Sequence, residues 1–405
     1  MFEREISILF NYTRIKRIKA YAQVINIETK MTLLNKSSCE WQENFKEIQC
    51  YQNNEVKPVL HRLLKDEYFL SVFTHLFSSF NVPLGSQLKE LSKIDKVSDL
   101  QDWVEASIFP LIEQRYEQFT VTGLSDLDPS NSYIFVSNHR DIVMDPLLLN
   151  KALRADSFST ANCAIGDNLL QHPTANDLAL LNRCFKIFRS IKSPRAILKA
   201  MKIQSSYIQY LRFNKHENIW IAQKEGRAKD NIDKTNPALI KMLGLAKPKN
   251  NTTHDYLTHL NIVPVSFSYE WDPCDIDKSI ELAAQNENSN YMKDKFDDFI
   301  AAKKGLEGYK GKIHIHFGQP VSSNGEQELN HKIAAEKIDL SIHKNYKLFP
   351  VNYAAFKKLN RDLPDNCPFN KQEINAAHKI LEDRLEGVNE EISRRVYHAY
   401  AQALN

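Results

Sequence analysis

Between Trp41 and about residue 118, apolar side chains recur at intervals of three and four. Val59, Leu60, Leu63 and Leu64 are followed by Phe69, Val72, Phe73 and Leu76. That is the period of helices with one buried face. It predicts one helix over about residues 63–80 and a second over about 99–118, bent or interrupted at Pro110, which cannot donate a helical hydrogen bond. Near residue 119 the pattern changes. Short β-rich runs at 119–122, 133–137, 159–165, 218–222, 262–268 and 312–317 alternate with helical stretches. Residues 194–213 predict a long amphipathic helix with the stripe Ile197, Leu198, Met201, Ile208 and Leu211. Strands separated by helical crossovers predict an α/β fold: a mixed, mainly buried sheet flanked by helices, with helical N- and C-terminal additions.

After Gly318 the chain becomes acidic and helical, most clearly over 374–385 and 388–403. The first thirty-odd residues mix basic and apolar groups without a period. They read as a loose arm, with Met31 an alternative start to Met1. The organisation expected is an arm over 1–36, a helical region over 37–118, a catalytic region over 119–325 and a helical region over 326–405.

Length and composition narrow the class. A chain of 405 residues, 42% hydrophobic and 25% charged, is neither disordered nor fibrous. Six cysteines (Cys39, Cys50, Cys163, Cys184, Cys274 and Cys367) are widely spaced, with no CxxC pair. They read as reduced thiols of an intracellular protein. Residues 68–88 lack charge but carry His75, Asn81, Pro83 and serines, which makes them a poor membrane span. As a phenylalanine-rich helix this stretch either packs inward, the preferred reading, or touches a membrane surface. No secretory leader is visible, so a cytoplasmic protein is expected.

Charge adds a partner to this picture. Residues 180–250 hold 16 Lys and Arg against four acids, an excess of +12 in a chain whose net charge is +3. Such a segment suits phosphate groups, a nucleotide-bearing donor or an acidic membrane face.

The candidate chemistry begins at Tyr133-Ile-Phe-Val-Ser-Asn-His-Arg-Asp-Ile-Val-Met-Asp-Pro146. An apolar strand ends at Ser137-Asn138, and His139 stands at its carboxyl tip, where α/β proteins gather functional groups. Two carboxylates follow, Asp141 and Asp145. One that holds a single ring nitrogen leaves the other free as a base near neutral pH.

This run resembles the first motif of the glycerol-3-phosphate and lysophospholipid (1-acyl-glycerol-3-phosphate) acyltransferase family, Asn-His, four residues and Asp. Here five residues separate His139 from Asp145. The Asp145-Pro146 pair matches the motif's end, so Asp145 is preferred to Asp141 as partner. Phe185-Lys-Ile-Phe-Arg-Ser190 resembles the second motif, with Arg189 in the place of the phosphate-binding arginine. Ile219-Trp-Ile-Ala-Gln-Lys-Glu-Gly-Arg227 resembles the third, although the residue that usually separates Gly from Arg is missing. Ile262-Val-Pro-Val265 resembles the fourth, which puts Pro264 at the acyl site, and His316-Phe-Gly-Gln-Pro-Val321 resembles the closing strand and turn.

The resemblance covers about residues 119–322. It implies transfer of a fatty acyl group from a thioester, on coenzyme A or an acyl carrier protein, to a hydroxyl of a glycerol-phosphate or lysophospholipid acceptor in phospholipid synthesis or remodelling. His139 is then the base, Asp145 or Asp141 its partner, and Arg189 and Arg227 the phosphate clamp. Glu225 binds a substrate hydroxyl or positions Arg227, and Gly226 allows close backbone approach. No cofactor beyond the thioester co-substrate and no metal is expected. The protein is expected to meet its lipid at the membrane face, without nucleic acid.

Other classes fit less well. His139-Arg-Asp141 lacks the companion motifs of a kinase, and neither a P-loop nor a GxSxG elbow occurs. His314 and His316 share a strand face without a neighbouring carboxylate or cysteine. A non-catalytic module that binds anionic membranes or nucleic acid through the basic segment is the alternative, but it has no use for His139 and Asp145 at a strand end.

Overall fold

The computed structural model describes residues 45–191, 193–287, 297–323 and 327–404. The expected arm, Met31 and Cys39 lie outside them. Five helices precede the sheet: α1 (Asn53–Leu63), α2 (Glu67–Ser78), α3 (Leu84–Leu91), α4 (Val97–Ser107) and α5 (Phe109–Glu113).

The helix expected over about residues 63–80 is α2, which starts only at Glu67: the chain breaks at residues 64–66 after α1, and the Asp66 carboxylate accepts the Phe69 N–H at 2.7 Å. A capped start replaces hydrogen bonds that a through-going helix would have made. The second expected helix is cut at Ile108, so Pro110 falls in the first turn of α5, where a missing N–H costs little. Phe69, Phe73 and Phe77 of α2 pack with Leu60 and Trp103 in a core of their own. The phenylalanine-rich stretch therefore faces inward.

Seven strands follow: β1 (Gln118–Thr122), β2 (Ile134–Ser137), β3 (Asn162–Gly166), β4 (Cys184–Ile187), β5 (Ile219–Ala222), β6 (Ile262–Tyr269) and β7 (Lys312–Phe317). Between them run α6 (Met144–Ala155), α7 (Pro173–Leu181), α8 (Pro194–Phe213), α9 (Pro237–Leu243), α10 (Thr253–His259), α11 (Asp275–Glu287) and α12 (Asp297–Glu307). The chain ends in α13 (His331–Lys344), α14 (Pro350–Lys358), α15 (Lys371–Arg384) and α16 (Glu390–Ala401).

The strands form one sheet in the order β1-β7-β6-β2-β5-β3-β4. The five from β6 to β4 are parallel to one another. The β7 strand runs antiparallel to β6, and β1 parallel to β7, so the sheet is mixed as expected. Every residue of β2 and β6 is buried, the near-continuous apolar run of a strand covered on both faces.

On one face Ile134, Val136, Ile219 and Ile262 meet Tyr207, Ile208 and Leu211 of α8 and Ile338 of α13. On the other, Phe135, Trp220, Val263 and Val265 meet Met144, Leu148 and Leu149 of α6. Each of these α6 side chains is fully buried, a burial worth about 1.5–3 kcal/mol apiece. The C-terminal helices α14 to α16 close a separate core around Trp271.

This topology decides where the motifs meet. Because β2, β5, β3 and β4 run the same way, their carboxyl ends share one edge of the sheet. The segments after β2, β4 and β5 are far apart in sequence, yet they emerge side by side.

Candidate active site

His139 follows β2 by two residues. Asn138 anchors that tip to β6: its side-chain oxygen accepts the Phe267 N–H at 2.7 Å, and its amide donates to the Phe267 carbonyl at 3.0 Å. Next comes Arg140, buried and doubly hydrogen-bonded to Asp233 at 2.9 and 2.5 Å. His139 is thus held between two fixed neighbours while its own ring reaches a cleft.

The chain turns at residues 140–143 and enters α6, whose first turn carries Asp145. His139 Nδ1 lies 2.8 Å from Asp145 Oδ2. The same oxygen accepts the backbone N–H groups of Arg140 at 2.6 Å and Asp141 at 3.0 Å. Tyr269 donates its hydroxyl to the other oxygen at 2.8 Å. Asp145 is fully buried, so these four partners satisfy a carboxylate that water does not reach. Burial first, and the charges of Asp145 and Asp141 after it, push the Tyr269 phenol well up, which keeps it a donor.

Asp141 is placed differently. Its Oδ1 accepts the N–H groups of Val143 and Met144, both at 3.0 Å, and so caps the start of α6. Burial raises its pKa against the opposing pull of Lys310. The extra residue between His139 and Asp145 is absorbed by the turn that Asp141 caps.

The cleft beside His139 encloses about 360 Å³. Arg189, Glu225, Gly226 and Arg227 line it with Ile142, Ile165 and Leu169. It is therefore apolar along the β3 side and charged at the loops after β4 and β5. Trp220 of β5 forms its inner wall, edge-on to the His139 ring at 5.5 Å, with its indole N–H on Ser137 Oγ at 2.9 Å.

Arg189 reaches the cleft across Gly166, where an added Cβ would stand 2.9 Å from the arginine's Cδ and Nε. Its backbone N–H is held by Asp167 at 2.9 Å. Arg227 has no hydrogen bond or ion pair to a described residue, and the N–H of the next residue, Ala228, donates to the His139 carbonyl at 2.9 Å. That bond ties the third motif to the first.

The structure places three of the expected residues as follows. Glu225 lines the cleft 3.7 Å from Arg189, with no hydrogen bond or ion pair to Arg227, and is largely exposed. A Cβ on Gly226 would meet no protein atom within 4 Å, and the φ of +74° there is one that glycine adopts without strain. Pro264 does not line this cleft. It sits inside β6 opposite Val136, two residues short of Ser266, on the face away from Val263 and Val265. Its side chain lies on the sheet face opposite the one from which Trp220 lines the cleft.

His314 and His316 bond to Thr120 and Thr122 of β1 at 2.7–3.2 Å, away from the cleft. No group of three potential metal ligands occurs among the described residues. Tyr269, Trp220 and Gly166 were not legible in the sequence as parts of this site, since each is an ordinary strand residue until the topology aligns it. The Asp167 that follows Gly166 at the β3 tip was the one available hint.

A sheet with a histidine–carboxylate pair at the tip of its central strand, opening on a cleft with basic loops, defines an α/β enzyme. The comparisons with known proteins name the class. Residues 118–268 match the Acyltransferase family model, which supports an acyltransferase enzyme. Among solved structures it is similar to the 1-acyl-sn-glycerophosphate (LPA) acyltransferase PlsC from Thermotoga maritima, at 13% identity and a TM-score of 0.34, over 72% of this chain and 95% of that one. No curated protein matches it. No described helix is long and apolar enough to cross a membrane.

Proposed function

We propose that the protein moves a fatty acyl group from a thioester, on coenzyme A or an acyl carrier protein, to the hydroxyl of a phosphate-bearing glycerolipid acceptor. The observation that carries this reading is that one cleft holds the free edge of His139, two arginines and an apolar wall. With Nδ1 engaged by Asp145, Nε2 is the nitrogen left to take a proton. It removes the proton of the acceptor hydroxyl as the oxygen attacks the thioester carbonyl. The tetrahedral intermediate then collapses, an ester forms, and the departing sulfur takes the proton back from the imidazolium. The reaction so drawn needs no cofactor beyond the donor.

Arg189 and Arg227 suit a phosphate, because a guanidinium offers paired donors in a plane. Binding the phosphate fixes the hydroxyl beside His139, and the apolar residues near Ile142, Ile165 and Leu169 suit an acyl chain. The acceptor is glycerol 3-phosphate or a lysophospholipid, met at a membrane face.

The test compares acceptors with and without a phosphate, using labelled acyl thioester donors. Arg189→Ala or Arg227→Ala removes a charge-assisted contact worth roughly 1.5–3 kcal/mol, which predicts about a 10- to 150-fold loss of acceptor kcat/KM. Lysine replacements recover part of it, and the donor KM changes little. If neither alanine variant affects phosphate-bearing acceptors, the acceptor is not a phosphate monoester.

A further inference from the structure

The α8 helix is longer than the sheet it packs on. From Ala200 onward its inner face is buried against β2, β4 and β5, with Gln204, Ser205, Tyr207, Ile208 and Leu211 all covered. The first turn and a half, residues 194–199, is exposed at every position except Ala196. Two large apolar side chains stand there in solvent, Ile197 at 38% and Leu198 at 48% exposure. The stripe expected to face the core therefore runs off the end of it.

The overhang carries Arg195 and Lys199, with Lys202 one turn on, all exposed and none in an ion pair with a described residue. The chain has no Asp or Glu between Asp177 and Glu217, a stretch containing nine Lys and Arg. The overhang also has a fixed place relative to chemistry. It begins five residues after Arg189, which lines the cleft, and on the same edge of the sheet.

We propose that the N-terminal overhang of α8 is the surface by which the protein docks on an anionic lipid bilayer, with Ile197 and Leu198 entering the interface and Arg195, Lys199 and Lys202 meeting head-group phosphates. A short apolar pair ringed by cations lies in the interface plane of such a surface, and each cation near it adds about 1 kcal/mol, or roughly fivefold in partitioning. Docking here brings the Arg189 side of the cleft to the membrane, where a lysolipid can enter headgroup first. In that respect the proposal rests on the glycerolipid reading above.

The test is sedimentation of the full chain with phosphatidylcholine vesicles, with and without phosphatidylglycerol, alongside acyl transfer to a water-soluble short-chain acceptor. The protein is expected to bind the mixed vesicles and release them at high salt. The pair Ile197→Ser with Leu198→Ser weakens binding about tenfold, by loss of apolar insertion. Arg195→Ala with Lys199→Ala and Lys202→Ala weakens it more and flattens the salt dependence. Leu340→Ser, an exposed apolar position on α13, changes nothing, and all these variants keep soluble-acceptor turnover. Unchanged binding in both α8 variants, or loss caused instead by Phe299→Ser on α12, overturns the assignment. A parent protein that binds vesicles through α8 but transfers no acyl group to any glycerolipid sinks the functional reading and leaves the docking surface standing.

Discussion

At the scale of single residues, two nearby carboxylates have separate tasks set by position. Asp145 holds the His139 ring, and Asp141 caps the helix that carries Asp145. The spacing alone left both open, since five intervening residues fit no regular helix face and the turn geometry lies outside any one-dimensional pattern. Asp145→Asn is expected to lower turnover by about a hundredfold or more, because an amide cannot stabilise the imidazolium formed in proton transfer. Asp141→Asn keeps an acceptor oxygen for the cap and leaves turnover within a few-fold. Asp141→Ala instead lowers stability by about 1–2 kcal/mol through loss of the cap, read by urea unfolding.

Tyr269 is a positioning residue on the far side of the same carboxylate. Removing its hydroxyl leaves one Asp145 oxygen without its donor in a site closed to water. Tyr269→Phe is expected to reduce kcat about tenfold while acceptor KM stays unchanged, in line with the loss of one hydrogen bond to a charged group. A parallel rise in KM would point to a distorted cleft instead.

At the scale of elements, the strands with long apolar runs were legible because burial on both faces leaves no polar alternation. The β4 strand was not. Its four residues, Cys184-Phe-Lys-Ile187, lie at the sheet edge with one position fully buried. Pairing with β3, not hydrophobicity, makes it a strand. The antiparallel turn of β7 was equally hidden, and it places His314 against β1. Burial first, then the positive charges nearby, lower the His314 pKa to about 4 from 6.5. Between those pH values the unfolded chain binds a proton that the folded one refuses, so stability falls as pH drops from about 6.5 to 4 and levels below that. This window is expected to cost about 2–3 kcal/mol. His314→Gln should flatten the pH dependence of urea midpoints there. An unchanged slope would assign the acid sensitivity to other groups.

At the scale of the whole molecule, the helical additions brace the site. His343 of α13 donates to the Asp233 carbonyl at 2.6 Å, and Asn231 donates to the Ala399 carbonyl of α16 at 2.8 Å. The loop that carries Asp233, partner of Arg140, is thereby fixed from the C-terminal region. Motif order in the sequence showed which segments belong together, and parallel topology explains why they meet. It could not show that Pro264 points away from them. The central claim is that His139 is the base for acyl transfer, and the most direct measurement is the turnover of His139→Ala with a labelled acyl thioester and a glycerolipid acceptor, on protein whose unfolding midpoint matches the parent. A drop of about 10²–10⁴ is predicted. Near-parental turnover in that folded variant would contradict the account.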